Sequence, residues 1–283
     1  MNSTINYITW RLIQVIPTII TVILLAFGLM KLAPGDLADV IAAQSGGASA
    51  EYMSEIRHLY GIDVPLWQQF TNYLHAIFNL NLGYSFLYNA NVSDLILGRL
   101  PATLLLALTA IIFALIIGVV LGIIAARYRG TLLDGMISVF STVGFATPLF
   151  WIGLLLIVVF SLKLQWLPVG GFSTVGAHYD HAYGYLLDVL YHLILPAFSL
   201  SLFFLSVYVR LTRSSMLHVY HQDYVRTAPA KGLPEWRVIV SHMRRNAALP
   251  MLKLIGPELG GRLSGLPVLE TLIGWPAAGR LGS

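Results

Sequence analysis

Two stretches of the sequence contain residue types that could do chemistry. The first is His178-Tyr-Asp-His181, with Asp188 and His192 nearby, because imidazole and carboxylate groups bind divalent cations. Two histidines and an aspartate in a polar loop are more often solvated, so we predict no metal site there. The second is the segment 210–246, which carries seven basic residues without an apolar run.

Other chemistries find no support in the residue pattern. The sequence has no cysteine, which excludes disulfides, thiolate metal sites and a cysteine nucleophile. It has no GxxxxGK[ST] loop for ATP phosphates, and no Ser-His, Asp-Asp or HExxH constellation at membrane depth. We therefore predict that the chain is not an enzyme and holds no cofactor of its own.

The elements that position these residues must lie in a bilayer. Of the 283 residues, 57% are hydrophobic and only 11% are charged, and the mean hydropathy is +0.75. A soluble domain has about 25% charged residues. So few charges cannot cover a water-exposed surface of this size. The composition predicts an all-α polytopic membrane protein.

Four apolar runs are long enough to cross about 30 Å of hydrocarbon as helices. They are residues 12–30, 104–126, 136–162 and 186–209. A fifth run, 247–269, is marginal because it carries Lys253, Glu258 and Arg262, and each charge costs about 3 kcal/mol at a helix centre. The first run exceeds the apolar part of a signal peptide, so we expect a retained helix.

The distribution of lysine and arginine predicts the orientation. With the N-terminus in the cytoplasm, ten of these residues lie inside and four outside. The segments 33–102 and 170–185 are then external loops, and 210–246 is internal. We divide the chain into 1–102, the first helix with its large loop, and 103–283, the transmembrane core. The net charge of +4 is no sign of a nucleic-acid partner.

The apolar runs also carry features with two interpretations. A stripe of small residues predicts close helix packing, with a direct substrate role as the alternative; it comprises Ala114, Gly118 and Gly122. Three prolines predict kinks: Pro17, Pro148 and Pro196. The second and third runs contain no ionisable residue, so there is no proton relay, and a conduit is favoured over a proton-driven pump.

Aromatic residues of the first external loop are spaced as on helices at the membrane surface. They are Trp67, Phe70, Tyr73 and Phe78. Two interpretations stay open: a landing surface for a partner protein on the outside, or an aromatic anchor at the membrane interface.

The internal segment 210–246 has the pattern of a docking element. Asp223 can cap a short helix whose apolar side begins with Tyr224 and Val225, and the stretch 235–248 again mixes apolar and basic residues. Two short amphipathic helices can dock into a groove of a cytoplasmic partner. Contact with lipid headgroups is the simpler alternative.

The segment Asp223-Tyr-Val-Arg-Thr-Ala-Pro-Ala-Lys-Gly232, followed by Arg244-Arg-Asn-Ala-Ala-Leu-Pro250, resembles the EAA loop of ABC importer permeases of the dipeptide, oligopeptide and nickel class. Further stretches resemble the same class in the same order. These are Tyr60-Gly-Ile-Asp-Val-Pro-Leu66, Asn81-Leu-Gly-Tyr-Ser85, Arg99-Leu-Pro-Ala-Thr103, Arg210-Leu-Thr-Arg-Ser-Ser-Met216 and Glu270-Thr-Leu-Ile-Gly-Trp-Pro276.

The resemblance implies a permease subunit that imports peptides, nickel or related small solutes across the inner membrane. It implies a second homologous permease, two ATPase subunits that bind ATP and magnesium, a periplasmic or lipid-anchored binding protein, and membrane lipid as partners. It also implies that one group of residues couples the permease to an ATPase: Asp223, Tyr224, Arg226, Thr227, Ala228, Lys231 and Gly232.

The chain departs from the family pattern in its last third. Pro229 lies inside the coupling helix, where a proline costs about 3 kcal/mol. The family also has a sixth helix, and nothing after Gly274 is apolar and long enough to form it, so we expect the last helix to be missing. A truncated, non-functional permease copy is therefore an alternative to an active one. An unrelated channel or membrane-embedded enzyme is the more distant alternative.

Overall fold

The computed structural model describes residues 2–44, 47, 49–220 and 273–276. The elements in chain order are α1 (Asn2–Leu32), α2 (Leu37–Gln44), α3 (Ala50–Leu59), α4 (Leu66–Phe78), β1 (Tyr84–Ser85), β2 (Ala90–Asn91), α5 (Val92–Arg127), α6 (Leu132–Ala146), α7 (Leu149–Leu156), a π-helical segment (Ile157–Lys163) and α8 (Ala182–Tyr220). The predicted helical membrane class is confirmed, with one short antiparallel hairpin added. The chain forms two compact units, Met1–Asp94 and Leu95–Ser283.

Three helices in the described part of the chain are long and apolar enough to cross a membrane. They contain the segments Thr9–Leu32, Val92–Arg127 and Ala182–His218. The bent pair Leu132–Ala146 and Leu149–Lys163 makes a fourth if it counts as one span. These helices contain all four predicted runs, and α5 begins inside the predicted external loop. The marginal run 247–269 lies outside the described residues.

The third predicted run is not one continuous helix, because α6 and α7 meet at an angle of 106°. Pro148 is the physical cause. A proline disfavours helical backbone at the residue before it, and Thr147 adopts extended angles, φ −79° and ψ 131°. Helix α6 therefore ends at Ala146, where the Thr147 hydroxyl donates to the Val143 carbonyl at 2.7 Å. The break replaces the kink expected at Pro148.

The other two prolines lie inside continuous helices. Pro17 is within α1 and Pro196 within α8. Near Pro17 the Thr21 hydroxyl donates to the Pro17 carbonyl at 2.8 Å, and near Pro196 the Ser199 hydroxyl donates to the Leu195 carbonyl at 2.8 Å. Hydroxyls that bond to carbonyls one turn earlier occur where helices bend.

In the first unit, α4 packs against α1 through aromatic rings. The Phe27 ring centroid lies 5.2 Å from that of Phe70 and 5.7 Å from that of Tyr73. Trp67 and Phe78 remain exposed, at 69% and 81%. Phe70 and Tyr73 therefore pack inside the first unit. For the exposed Trp67 and Phe78, both interpretations stay open: contact with a partner protein, or an anchor at the membrane interface.

An ion pair joins α3 to the turn between α1 and α2. Arg57 Nε lies 2.6 Å from Asp36 Oδ2, and Arg57 Nη2 lies 3.3 Å from Asp39 Oδ1. The hydrogen bond from Arg57 lowers the pKa of Asp36 below its usual range. Because these side chains are well exposed, we expect the pair to orient the turn more than to stabilise it.

In the second unit, α8 is the central helix. In the most apolar 18-residue stretch of α8, 72% of the residues are buried, whereas the figure for the corresponding stretch of α5 is 33%. The core joins residues of α5 and α8, among them Leu106, Ala110, Ala114, Leu200, Phe204, Leu205 and Val209. Because α8 contacts each of its neighbours, a movement of α8 must change the packing of all of them.

Candidate functional site

An ion pair between a buried aspartate and a partly exposed arginine joins α6 to the C-terminal part of α8. Arg213 Nε donates to Asp134 Oδ1 at 2.7 Å, and Arg213 Nη2 donates to Asp134 Oδ2 at 2.8 Å. Asp134 is 5% exposed. The geometry is bidentate, which is the stronger and more directional form of an arginine–carboxylate contact.

The same carboxylate also holds the turn between α5 and α6. The Gly130 amide donates to Asp134 Oδ2 at 3.0 Å, and the Ser138 hydroxyl is 3.4 Å from Oδ1. Gly130 has a φ of +78°, which a glycine adopts without strain. One aspartate thus ties the turn, the first turn of α6 and the end of α8 together.

The ion pair lies seven residues before Tyr220, the last described residue of α8. The predicted ATPase-coupling residues follow directly in sequence but lie outside the described residues, as do Pro229, Lys253, Glu258 and Arg262. The arrangement can act mechanically: a force that displaces the end of α8 is transmitted to α6 through Arg213 and Asp134, because a bidentate pair resists both sliding and rotation.

The small residues predicted to pack a helix lie where α5 crosses α8. Ala114 is fully buried. A Cβ at Gly118 would lie 2.7 Å from Tyr208 Cβ, and a Cβ at Gly122 would lie 2.4 Å from Thr212 Cβ. The two helices thus approach too closely for any side chain at these glycines. Residues of α8 cover this stripe of small residues, which favours helix packing over a direct substrate role.

At the opposite end of the unit, the segment 273–276 is anchored by Trp275. The Gly171 amide donates to the Ile273 carbonyl at 3.0 Å. Trp275 is fully buried, its ring is 4.9 Å from that of Phe172, and its Nε1 donates to the Ala102 carbonyl at 3.1 Å. This segment therefore closes the core beside Ala102, about three turns into α5.

Trp275→Ala should lower the free energy of unfolding by about 4 kcal/mol, because it opens a large cavity and removes a buried hydrogen bond. Trp275→Phe keeps a ring against Phe172 and should cost about 1 to 2 kcal/mol. Thermal unfolding of the purified protein in detergent measures both. Trp67→Ala, which removes an exposed ring, is the matched control, and an equal effect of the two alanine variants would contradict the assigned anchor.

The loop that contains His178 and His181 is organised by the carboxylate of Asp188. Its carboxylate accepts hydrogen bonds from the Thr174 amide at 2.6 Å, the Thr174 hydroxyl at 2.8 Å and the Tyr179 hydroxyl at 2.6 Å. The bond to Asp188 raises the pKa of Tyr179. In the part of the chain that the structure describes, no three His, Cys, Asp or Glu side chains come together, so His178 and His181 do not join Asp188.

Sequence reasoning missed the ion pair. Arg213 entered only the count of basic residues and a stretch that resembles the family, and Asp134 lies two residues before the start of the third predicted run. The signal that could have identified the pair is a single acid and a single base, each flanking a long apolar run. Such groups are costly near a bilayer unless they find each other.

Comparisons with known proteins agree with this architecture. A family profile described as "Binding-protein-dependent transport system inner membrane component" matches residues 118–283. A second, described as the N-terminal part of a binding-protein-dependent transport system membrane component, matches residues 4–107. Together the two matches cover most of the chain.

Curated relatives match along nearly the whole length. A di/tripeptide transport system permease protein of Pseudomonas aeruginosa is 39% identical, over 97% of this chain and 85% of the relative. A dipeptide transport system permease protein of Escherichia coli is 36% identical, over 97% and 86%. An oligopeptide transport system permease protein of Bacillus subtilis is 37% identical, over 97% and 85%. The chain belongs to the family of binding-protein-dependent transport system inner membrane components.

Proposed function

We propose that this chain is the permease subunit of an ATP-driven importer of short peptides. The observation that carries the proposal is its identity of 36 to 39% with permeases of dipeptide, di/tripeptide and oligopeptide systems. The chain is a membrane component of a transport system and not itself an enzyme. We favour peptides over nickel because these relatives all serve peptide systems.

The proposed assembly contains a second homologous permease, two ATPase subunits, a binding protein outside the membrane and surrounding lipid. ATP and magnesium bind in the ATPase subunits. The N-terminus lies in the cytoplasm, an orientation supported by the excess of lysine and arginine on that side. Residues Asp223 to Gly232 then dock with an ATPase directly beyond the end of α8.

Energy from ATP enters the permease through the end of α8. Closure of the ATPase subunits pulls the docked segment, and the Asp134–Arg213 pair passes the movement to α6. Because α6 is separated from α7 by the break at Thr147, the two helices can tilt by different amounts when α8 moves. The tilt alternately opens and closes a path along these helices.

The test is reconstitution of the chain in liposomes with its partner permease, ATPases and binding protein. We expect uptake of a labelled tripeptide that requires both ATP and the binding protein. Arg226→Glu should prevent co-purification of the ATPase, because it reverses a charge of the docking segment. Arg129→Glu, in the exposed turn between α5 and α6, is the matched control and should leave the complex intact.

Two results would contradict the proposal. ATP-dependent uptake of nickel without uptake of any peptide would reassign the substrate. Equal retention of the ATPase by the Arg226→Glu and wild-type chains would show that the segment Asp223 to Gly232 is not the docking element.

A further inference from the structure

Arg210 is the first charged residue after the apolar run 186–209, and its side chain is exposed. It lies in Ala182–His218, three residues from Arg213 toward the start of α8. Ionisable residues within spans face protein or water, because exposure of a charge to lipid is costly. Unlike Arg213, whose guanidinium is held by Asp134, Arg210 contacts an aromatic ring.

The guanidinium of Arg210 reaches toward the middle of the span. Its carbon lies 4.2 Å from the centroid of the Phe145 ring. Phe145 follows Asp134 by eleven residues on α6, which is roughly 16 Å along that helix. Arg210 therefore points away from the nearer end of α8. A long basic side chain that only sought the membrane surface would extend toward that end.

The ring under Arg210 belongs to an aromatic pair beside the broken helix. Phe145 and Phe203 stack with centroids 5.5 Å apart and planes 23° apart. Phe145 is 41% exposed and precedes Thr147, where α6 ends, by two residues. Interrupted backbone at membrane depth occurs inside protein or beside a water-filled cavity. An exposed cation beside two rings at such a break can contact an anionic group of a solute that passes along these helices.

We propose that Arg210, seated on Phe145, binds the C-terminal carboxylate of a peptide as it crosses the membrane. The inference rests on the proposed function, because it names a subsite for that substrate. A guanidinium that lies over a ring uses its face for that contact, and its N–H groups point outward from its edge. Two of these N–H groups match the two oxygens of a carboxylate.

The chemistry of this subsite suits transport of many peptides. The terminal carboxylate is common to all of them, so a single arginine recognises the substrate without reading its side chains. The exposure of Arg210 keeps the contact weak enough for release, which conduction requires. The stacked rings keep the guanidinium in one position between successive peptides.

The test compares a tripeptide with its C-terminal amide in liposomes that contain the complete transporter. For each compound the uptake of the wild type is divided by that of Arg210→Gln. The preference of the binding protein cancels in this ratio, because the same protein delivers both compounds. We expect a loss of about tenfold for the free acid and less than about twofold for the amide.

Two further variants separate recognition from structure. Arg210→Lys keeps the charge but not the planar fork, and should restore about half of the lost uptake of the free acid. Arg129→Gln removes a charge from the exposed turn and should change neither compound. ATP hydrolysis stimulated by the peptide-loaded binding protein should be the same in Arg210→Gln and wild type, because the ion pair and the docking segment are intact.

The outcomes distinguish the two proposals. If Arg210→Gln reduces the uptake of acid and amide equally, or reduces neither, the carboxylate subsite is refuted while peptide import stands. If the wild-type complex takes up no peptide at all, the proposed function fails, and the subsite fails with it.

Discussion

Asp134→Asn should destabilise the second unit by about 3 kcal/mol, because it removes the buried carboxylate that accepts from both Arg213 and the Gly130 amide, and leaves the partly buried guanidinium without its counter-charge. The thermal midpoint of the purified protein in detergent should fall by roughly 6 to 12 °C. Peptide uptake should fall further than stability alone predicts, since the variant also loses the connection between α8 and α6. The measurements are thermal unfolding and the number of ATP molecules hydrolysed per peptide imported.

A double-mutant cycle provides the control. Asp134→Leu with Arg213→Met replaces both charges by apolar groups of similar volume, and this pair should be more stable than either single variant. It should still import poorly, because apolar contacts do not resist sliding as a bidentate pair does. Additive losses in the cycle, or normal ATP use by Asp134→Asn, would refute the role assigned to the ion pair.

Gly122→Ala should separate α5 from α8 and cost about 3 kcal/mol. The new Cβ would lie 2.4 Å from Thr212 Cβ and 2.9 Å from the Val209 carbonyl oxygen, and the backbone atom cannot move aside as a flexible side chain can. We expect a lower thermal midpoint and a lower yield of assembled complex.

Gly98→Ala is the matched control, because it is in the same helix and its Cβ would meet no atom within 4 Å. It should be neutral or stabilising by up to about 1 kcal/mol, since alanine favours helix over glycine. Gly122→Ala combined with Thr212→Gly removes the contacts with the Thr212 side chain but leaves the one with the Val209 carbonyl oxygen, so it should recover only part of the loss. Equal behaviour of the two glycine variants would show that the helices can separate freely.

The sequence predicted the spans because a bilayer demands long apolar runs, and that demand leaves a strong signal. The four predicted runs all lie in the observed helices. The break at Thr147 was foreseen only as a kink at Pro148. A proline identifies where a helix is weakened, but whether the chain bends or breaks there depends on the packing of the two halves against α8.

The close approach of α5 and α8 was predicted from the spacing of Ala114, Gly118 and Gly122, because small residues four apart form one face of a helix. The partner residues Tyr208 and Thr212 were not predicted, since the pairing of helices depends on three-dimensional packing. The ion pair was missed for the same reason: 79 residues separate its members in sequence. The coupling residues lie outside the described part of the chain and stay a prediction.

The burial of Trp275 imposes an order on biogenesis. Its hydrogen-bond acceptor, Ala102, is 173 residues earlier in the chain. At a synthesis rate of about 5 to 20 residues per second, roughly 10 to 35 s pass between the two. During that interval α5 and α8 can enter the membrane, but the pocket beside Ala102 stays unfilled. A nascent chain that stalls in this interval therefore lacks the buried ring against Phe172 and leaves the Ala102 carbonyl without its indole donor.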